Sequence, residues 1–269
     1  MGDRQSLMSN ENPRMYGLGP YGVAVVHGGP GAPGYMAPVA RELAKKWGVL
    51  EPLQTATSLE GQIQELRDAL ERHAELPVTL IGSSWGAMLS FIVAARYPDM
   101  AKKLILVGSA VFEEKYAAGI DATRLSRLGD DERKEVQSLI EGLDDPTSKD
   151  KDKLFARLGD LFTKADAYSP LTLDLELLES QYHLYRSVWK DAAKLRRSGE
   201  LLELGKHIRC PVVAIHGDHD PQPAEGVQMP LAVTLKSFRF ILLRNCGHIP
   251  WIESKARVRF FEVLKEELE

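Results

Sequence analysis

At 269 residues, 44% of them hydrophobic, the chain can bury a sizeable core as one large domain or as a domain carrying an insertion. A formal net charge of -4 without any block of Lys or Arg argues against a nucleic-acid partner. The two cysteines, Cys210 and Cys246, cannot build a disulfide framework, and both adjoin apolar runs, so they read as buried thiols. The stretch from Met1 to Pro13 is polar and has no apolar centre of a signal peptide, and no run of about 18 apolar residues occurs. The expectation is a cytoplasmic protein without membrane contact.

In chain order, residues 1–20 read as irregular, punctuated by Pro13, Gly17, Gly19 and Pro20. Val23-Ala24-Val25-Val26 is the first buried strand and runs into His27-Gly28-Gly29-Pro30-Gly31, a loop whose backbone N–H groups can face a ligand. A helix around Tyr35 to Trp47 and a short strand from Gly48 to Leu53 follow. Thr57 with Glu60 three residues later has the spacing of a capping box and opens a helix with Ile63, Leu66 and Leu70 on one face.

Val78 to Ile81 is short, apolar and partly β-branched, which predicts a buried strand, and Ala87 to Arg96 predicts a helix ending at Tyr97-Pro98. Between them lies Gly82-Ser83-Ser84-Trp85-Gly86. Gly-x-Ser-x-Gly at a strand-to-helix turn has the context of a nucleophile elbow, with Ser84 at its tip.

Lys103 to Gly108 is a further apolar strand, after which the texture changes. From about Val111 to Lys206 the chain is charged and rich in helix formers, with a loop or hinge at 144–150. Strand character resumes at Pro211 to Ile215 and again at Phe238 to Leu243, and an amphipathic helix from near Trp251 or Ile252 ends the chain. The alternation predicts an α/β fold with a mostly parallel sheet covered on both faces. The expected division is a core of residues 1–111 and 207–269 with a helical cap at 112–206. Because ligands bind beyond the carboxyl ends of strands in such sheets, the 27–31 loop, Ser84, Asp218 or Asp220, and His248 are expected at one rim.

These residues resemble the α/β-hydrolase superfamily, in which nucleophile, acid and base follow one another in the order of Ser84, Asp220 and His248. Within it, His-Gly-Gly-Pro-Gly at 27–31 together with Gly-Ser-Ser-Trp-Gly at 82–86 is most similar to the proline iminopeptidase branch. The resemblance implies an α/β-hydrolase fold with a helical cap. It departs from the family in two places. Only about twenty irregular residues stand where members have an antiparallel hairpin, and Glu51 to Ser58 lacks the Asp-x-Arg-Gly-x-Gly-x-Ser loop. A trimmed sheet edge and a different pocket wall follow. In the cap, Glu179-Ser180-Gln181-Tyr182 is similar to an iminopeptidase Glu-Asn-His-Tyr stretch whose Glu meets the substrate amine, which nominates Glu179 and Tyr182 for substrate binding.

A serine hydroxyl needs a base to attack at neutral pH, and His248, just past the last strand, supplies it. The acid belongs after the preceding strand, where both Asp218 and Asp220 are available, and the family's strand–Gly-x-x-Asp pattern selects Asp220. Backbone N–H groups of Trp85 and, by the His-Gly-x-Pro pattern, Gly29 would form the oxyanion hole, leaving His27 a structural role. His216, Asp218, His219 and Asp220 are ligand types, but a strand end cannot aim all of them at one point, so neither metal nor cofactor is expected. A serine elbow also argues against haloalkane dehalogenase and epoxide hydrolase chemistry, which place Asp there.

Aromatic cap residues Tyr168, Tyr182, Tyr185 and Trp189 are candidates to line the pocket. The expected function is a serine hydrolase that opens an ester or amide of a small molecule or short peptide through an acyl-enzyme. The alternatives are an aminopeptidase, a carbon–carbon bond hydrolase, or a ligand-binding protein with little turnover.

Overall fold

The computed structural model describes residues 12–31, 33–172 and 181–269. Seven strands form one sheet in the order β1-β3-β2-β4-β5-β6-β7. They are β1 (Arg14–Tyr16), β2 (Tyr21–Val26), β3 (Gly48–Glu51), β4 (Val78–Ser83), β5 (Ala101–Val107), β6 (Val212–Gly217) and β7 (Phe238–Leu243). All neighbours pair in parallel except β1, which runs antiparallel to β3.

The period-2 alternation of the strands divides their side chains between two cores. Ala24, Val26, Leu80, Leu104, Leu106, Val212 and Ala214 point to one face. There they meet α2 (Leu59–His73), α3 (Trp85–Arg96) and α9 (Glu225–Thr234). Val23, Val25, Ile81, Ile105, Val107, Val213 and Ile215 point to the other, under α1 (Ala37–Leu43) and α10 (Arg257–Glu266). Helix α3 is buried along its whole length as far as Ala95, which is why its sequence is apolar all round rather than amphipathic.

Between β5 and β6 lie α4 (Ile120–Ser126), α5 (Asp130–Asp144), α6 (Lys151–Asp166), α7 (Tyr182–Ser198) and α8 (Glu200–Leu204). Leu128, Val136, Leu139, Leu143, Leu158 and Leu161 make a separate small core for α4 to α6. Helix α7 divides its loyalty: Leu184, Val188 and Ala192 join the main core, while Tyr182 packs on the small one.

Four expectations need correction. The N-terminal segment is not wholly irregular, because Arg14–Tyr16 pairs with Glu51–Val49 as an edge strand. Three residues between Pro13 and Gly17 are too few to display alternation. The Tyr16 hydroxyl donates to Glu51 Oε2 at 2.7 Å and ties the edge down. Helix α2 is capped by Ser58, whose Oγ accepts from the Gly61 N–H at 3.1 Å, so the cap lies one residue beyond Thr57. Helix α9 was not foreseen, because Gly226 and the interior Pro230 mask it. The C-terminal helix begins only at Arg257, since Pro250–Ile252 forms a 3₁₀ turn.

Trp85, the first residue of α3, is completely buried and its indole N–H donates to Gln62 Oε1 at 2.8 Å. Gln62, equally buried, also donates to the Ala56 carbonyl at 3.0 Å. Gln62→Leu strands both partners. The expected cost is about 1–3 kcal/mol, read as a lower urea midpoint with an unchanged m-value.

Candidate active site

The turn between β4 and α3 is built by removing side chains. A Cβ on Gly82 would run into the Gly86 carbonyl, and one on Gly86 would run into the carbonyls of Val26 and His27. With both positions bare, the chain turns sharply enough to set Ser84 at φ 52° and ψ -115°. That is a region L-residues avoid at a cost of about 1–3 kcal/mol, and it is held here by the packing around it. The Ser84 N–H donates to the Val107 carbonyl at 2.9 Å, and its own carbonyl accepts from Ala87 and Met88, so the residue also starts α3. Ser84 is half-buried, whereas Ser83 is buried and its hydroxyl has no partner among the described residues.

The 27–31 loop lies against the elbow. A Cβ on Gly28 would sit 3.2 Å from the Ser84 Cβ. Gly29 has φ 47°, and its half-buried backbone follows directly. His27 is fully buried: Nδ1 lies 2.9 Å from the Gly28 carbonyl and Nε2 3.1 Å from the Gln54 N–H. An N–H can only be accepted by a bare nitrogen, so His27 carries its single proton on Nδ1. Burial pushes its pKa down to about 4. It fastens the loop to the Gln54 segment and stays neutral. Farther along, the Gly31 carbonyl accepts from the Gln181 N–H at 3.0 Å, which seats the start of α7 on the same loop.

At the ends of β6 and β7 the structure brings Asp220 and His248 together. His248 Nδ1 lies 2.8 Å from Asp220 Oδ2, and both residues are buried. Asp220 Oδ1 accepts from the Gln222 N–H at 2.9 Å. Burial alone would raise the Asp220 pKa, but the charge on His248, then His216, and the hydrogen bonds outweigh it and hold the carboxyl low. Burial likewise works against a charged His248, yet the neighbouring carboxylate of Asp220 dominates and raises its pKa. Asp218 instead is exposed and caps the Cys246 N–H at 3.2 Å. His216 Nε2 faces the Gln222 carbonyl at 2.8 Å, and His219 stands edge-on to Tyr168. His216 Nε2 also lies 3.5 Å from Asp220 Oδ2, so these two face each other, while Asp218 and His219 turn to other partners.

The elbow and the pair meet across the end of β5. Ser84 is bonded to Val107, and the next residue, Gly108 at φ 51°, backs onto the pair. A Cβ there would be 3.4 Å from His248 Nδ1 and 3.5 Å from Asp220 Oδ2. Gly108 escaped sequence reasoning, although a Gly closing a buried strand is the available signal. Asp166 and Arg124 also escaped it. The His248 N–H donates to the Asp166 carbonyl at 3.0 Å, while the Asp166 carboxylate takes Arg124 Nε and Nη2 at 2.8 and 2.7 Å. No local motif marks these residues, because their partners are far apart in sequence.

From Trp85 a series of rings leads into the helices beyond β5. Trp85 meets Trp189 edge-on at 6.2 Å, Trp189 stacks on Tyr185 at 6.2 Å, and Tyr185 lies 4.5 Å from Phe155. Tyr182 packs beside Phe155 at 5.7 Å, and its hydroxyl donates to the Leu143 carbonyl at 3.4 Å, which occupies it with the small core. Glu179, the proposed amine anchor, lies outside the described residues.

With this geometry in view, the chain can be set beside known proteins. The alpha/beta hydrolase family model matches residues 23–262. A pimeloyl-[acyl-carrier protein] methyl ester esterase of Neisseria meningitidis is 25% identical over 197 residues, which make up 71% of this chain. The match spans only 57% of that relative's length. Among solved structures, VinJ superposes with a TM-score of 0.65 at 18% identity, covering 95% of this chain and 93% of that one. A proline iminopeptidase of Mycobacterium smegmatis does so with 0.60 at 16% identity, covering 95% and 93%. At such identities the structures speak for the fold.

The state of His27 is open to test. Long-range ¹H–¹⁵N spectra should show a neutral Nδ1–H ring from neutral pH down to about 4. Because the unfolded chain takes up this proton near 6.5 and the folded one only near 4, unfolding binds a proton in that window. Stability should therefore fall as pH drops from about 6.5 to about 4, and His27→Gln should flatten that slope. A His27 ring that titrates normally would refute the assignment.

Proposed function

The chain belongs to the alpha/beta hydrolase family, and on that premise we propose that it is a serine hydrolase of carboxylesterase type acting through a Ser84 acyl-enzyme. The observation that carries this reading is the buried Asp220–His248 pair, 2.8 Å apart, reached from a serine in strained conformation across Gly108. His248 Nε2 takes the hydroxyl proton as Ser84 attacks the acyl carbon. The Nδ1–H keeps donating to Asp220, which fixes the tautomer and stabilises the imidazolium without becoming protonated. The N–H groups of Gly29 and Trp85 hold the oxyanion, aided by the N-terminal end of α3. His248 then protonates the leaving alcohol, and a water activated by the same imidazole releases the acid.

Residues 112–206 act as the cap in this reading, with α7 resting on the 27–31 loop through Gln181. The half-buried rings of Trp189 and Tyr185, on the helix that Gln181 seats against the 27–31 loop, favour an ester with an apolar acyl or alcohol portion over a charged amine. The esterase name of the Neisseria relative points the same way. Substrates are small molecules, and no cofactor takes part in the steps.

Fluorophosphonate should label Ser84, and p-nitrophenyl esters should be hydrolysed in preference to amino-acid anilides. Anilide preference would favour the aminopeptidase alternative, and an unlabelled Ser84 would favour a binding role. Ser84→Ala and His248→Ala should each lower kcat by about 10⁶, as for triads acting as a unit. Asp220→Asn should cost up to about 10⁴ and Asp218→Asn far less. Equal losses at the two Asp positions would move the acid. Since His248 must be neutral to act and Asp220 raises its pKa, kcat/KM should fall with decreasing pH about a midpoint above 6.5.

A further inference from the structure

We infer that Glu253 is the positioning residue that holds the His248 loop in register with Asp220, an inference that rests on the reading of His248 as general base. Glu253 comes five residues after His248, past the 3₁₀ turn, and is completely buried. Its carboxylate meets three backbone N–H groups. Oε1 accepts from Gly247 at 2.9 Å and from Tyr168 at 2.7 Å, and Oε2 accepts from Ser169 at 2.7 Å.

Gly247 is the residue before His248, whereas Tyr168 and Ser169 belong to the segment leaving α6. One carboxylate thus joins the histidine loop to a stretch some eighty residues earlier. The joint is reinforced on both sides. The His248 N–H donates to the Asp166 carbonyl at 3.0 Å, the Leu171 N–H to Ile252 at 2.7 Å, and the Ser254 N–H to Ser169 at 2.9 Å. A single bridge pairs Pro170 with Glu253. Gly247 has no room for a side chain, since a Cβ on it would be 2.6 Å from Glu253 Oε1 and would run into the Asp166 carbonyl. The two consecutive N–H groups of Gly247 and His248 are therefore both anchored, and the direction in which the imidazole leaves the backbone is set.

The chemistry needs a carboxylate. Three donors converge on two oxygens, and an ionised acid is acceptor-only at both of them. Charge-assisted bonds of this kind offset the cost of burying the charge. A glutamine would turn an NH₂ toward at least one of the N–H groups and leave donors facing donors. Tolerances at the reacting atoms are tight enough that a displacement of about 1 Å far from the chemistry can cost about 100-fold. Loosening Gly247 lengthens the Nδ1–Oδ2 contact, and with it weakens the interaction that raises the His248 pKa against burial.

The test compares wild type with E253Q and E253D in p-nitrophenyl ester kinetics over pH, with urea unfolding on each protein. For E253Q the expected result is kcat lower by about 10- to 100-fold, KM little changed, and the acidic limb of kcat/KM displaced to lower pH. E253D keeps the charge but reaches less far, so it should shift the limb the same way with a smaller loss. It decides the case if E253Q does not fold. Folded variants with wild-type kcat, or with lower kcat and an unmoved limb, overturn the proposal, because a purely structural residue lowers stability without retuning His248. Fluorophosphonate labelling of the wild type separates the two readings. If Ser84 is unreactive, the serine-hydrolase reading fails. The clamp is then still read from the downfield Nδ1 proton of His248: its loss or upfield shift in E253Q supports the clamp, and an unchanged resonance rejects it.

Discussion

Everything in the site follows from how closely the backbone of the elbow approaches the end of β2. Gly82, Gly86, Val26 and His27 come together with no space for a Cβ at either glycine. Main-chain contact at that distance cannot be improvised by side-chain rearrangement, so the geometry at Ser84 is rigid before any substrate arrives. The strained φ of Ser84 persists because β4 and α3 are buried on both sides of it. The adjacent loop obeys the same constraint, since Gly28 lies against the Ser84 Cβ and His27 is locked to Gln54.

Electrostatics completes what packing begins. A fully buried carboxylate is costly unless its charge is answered. Asp220 is answered by His248, by His216 at 3.5 Å and by the Gln222 N–H, and Asp166 by the two-pronged contact of Arg124. Arg124 is itself largely buried; burial disfavours its charge, yet Asp166 outweighs that and raises its pKa. Glu253 has neither an imidazole nor a guanidinium in these hydrogen bonds and relies on peptide N–H groups. Three buried acids close to one histidine thus have three different kinds of counterpart.

Much of this was legible in the sequence because strand ends are legible. Four apolar runs, each followed by a Gly-containing turn, placed the 27–31 loop, Ser84, Asp220 and His248 on one rim, and register in the sheet does bring Val26, Ser83, Gly217 and Leu243 to that edge. The choice between Asp218 and Asp220 needed the family pattern, and the fold adds the contact with His248. What escaped was either short or non-local. β1 is three residues long, and α9 contains a proline. Asp166 acts through its carbonyl, which any residue possesses, so its identity says nothing about His248. Tyr182 looked like a pocket residue, but an aromatic at a helix start can serve a core equally well, and Phe155 and Leu143 are its partners.

The bond from the His248 N–H to the Asp166 carbonyl bears on modularity. Helical insertions between β5 and β6 invite exchange, as though substrate choice could be transplanted by swapping everything from 112 to 206. Here the last residue of α6 belongs to the histidine loop by its main chain and to α4 by its side chain. A transplant that replaces α6 with a helix one residue shorter would remove the acceptor beneath the histidine while leaving Ser84, Asp220 and His248 in place. The exchangeable unit is thus smaller than the inserted one: its boundary runs inside Asp166, and recombination across that boundary must carry the histidine loop along.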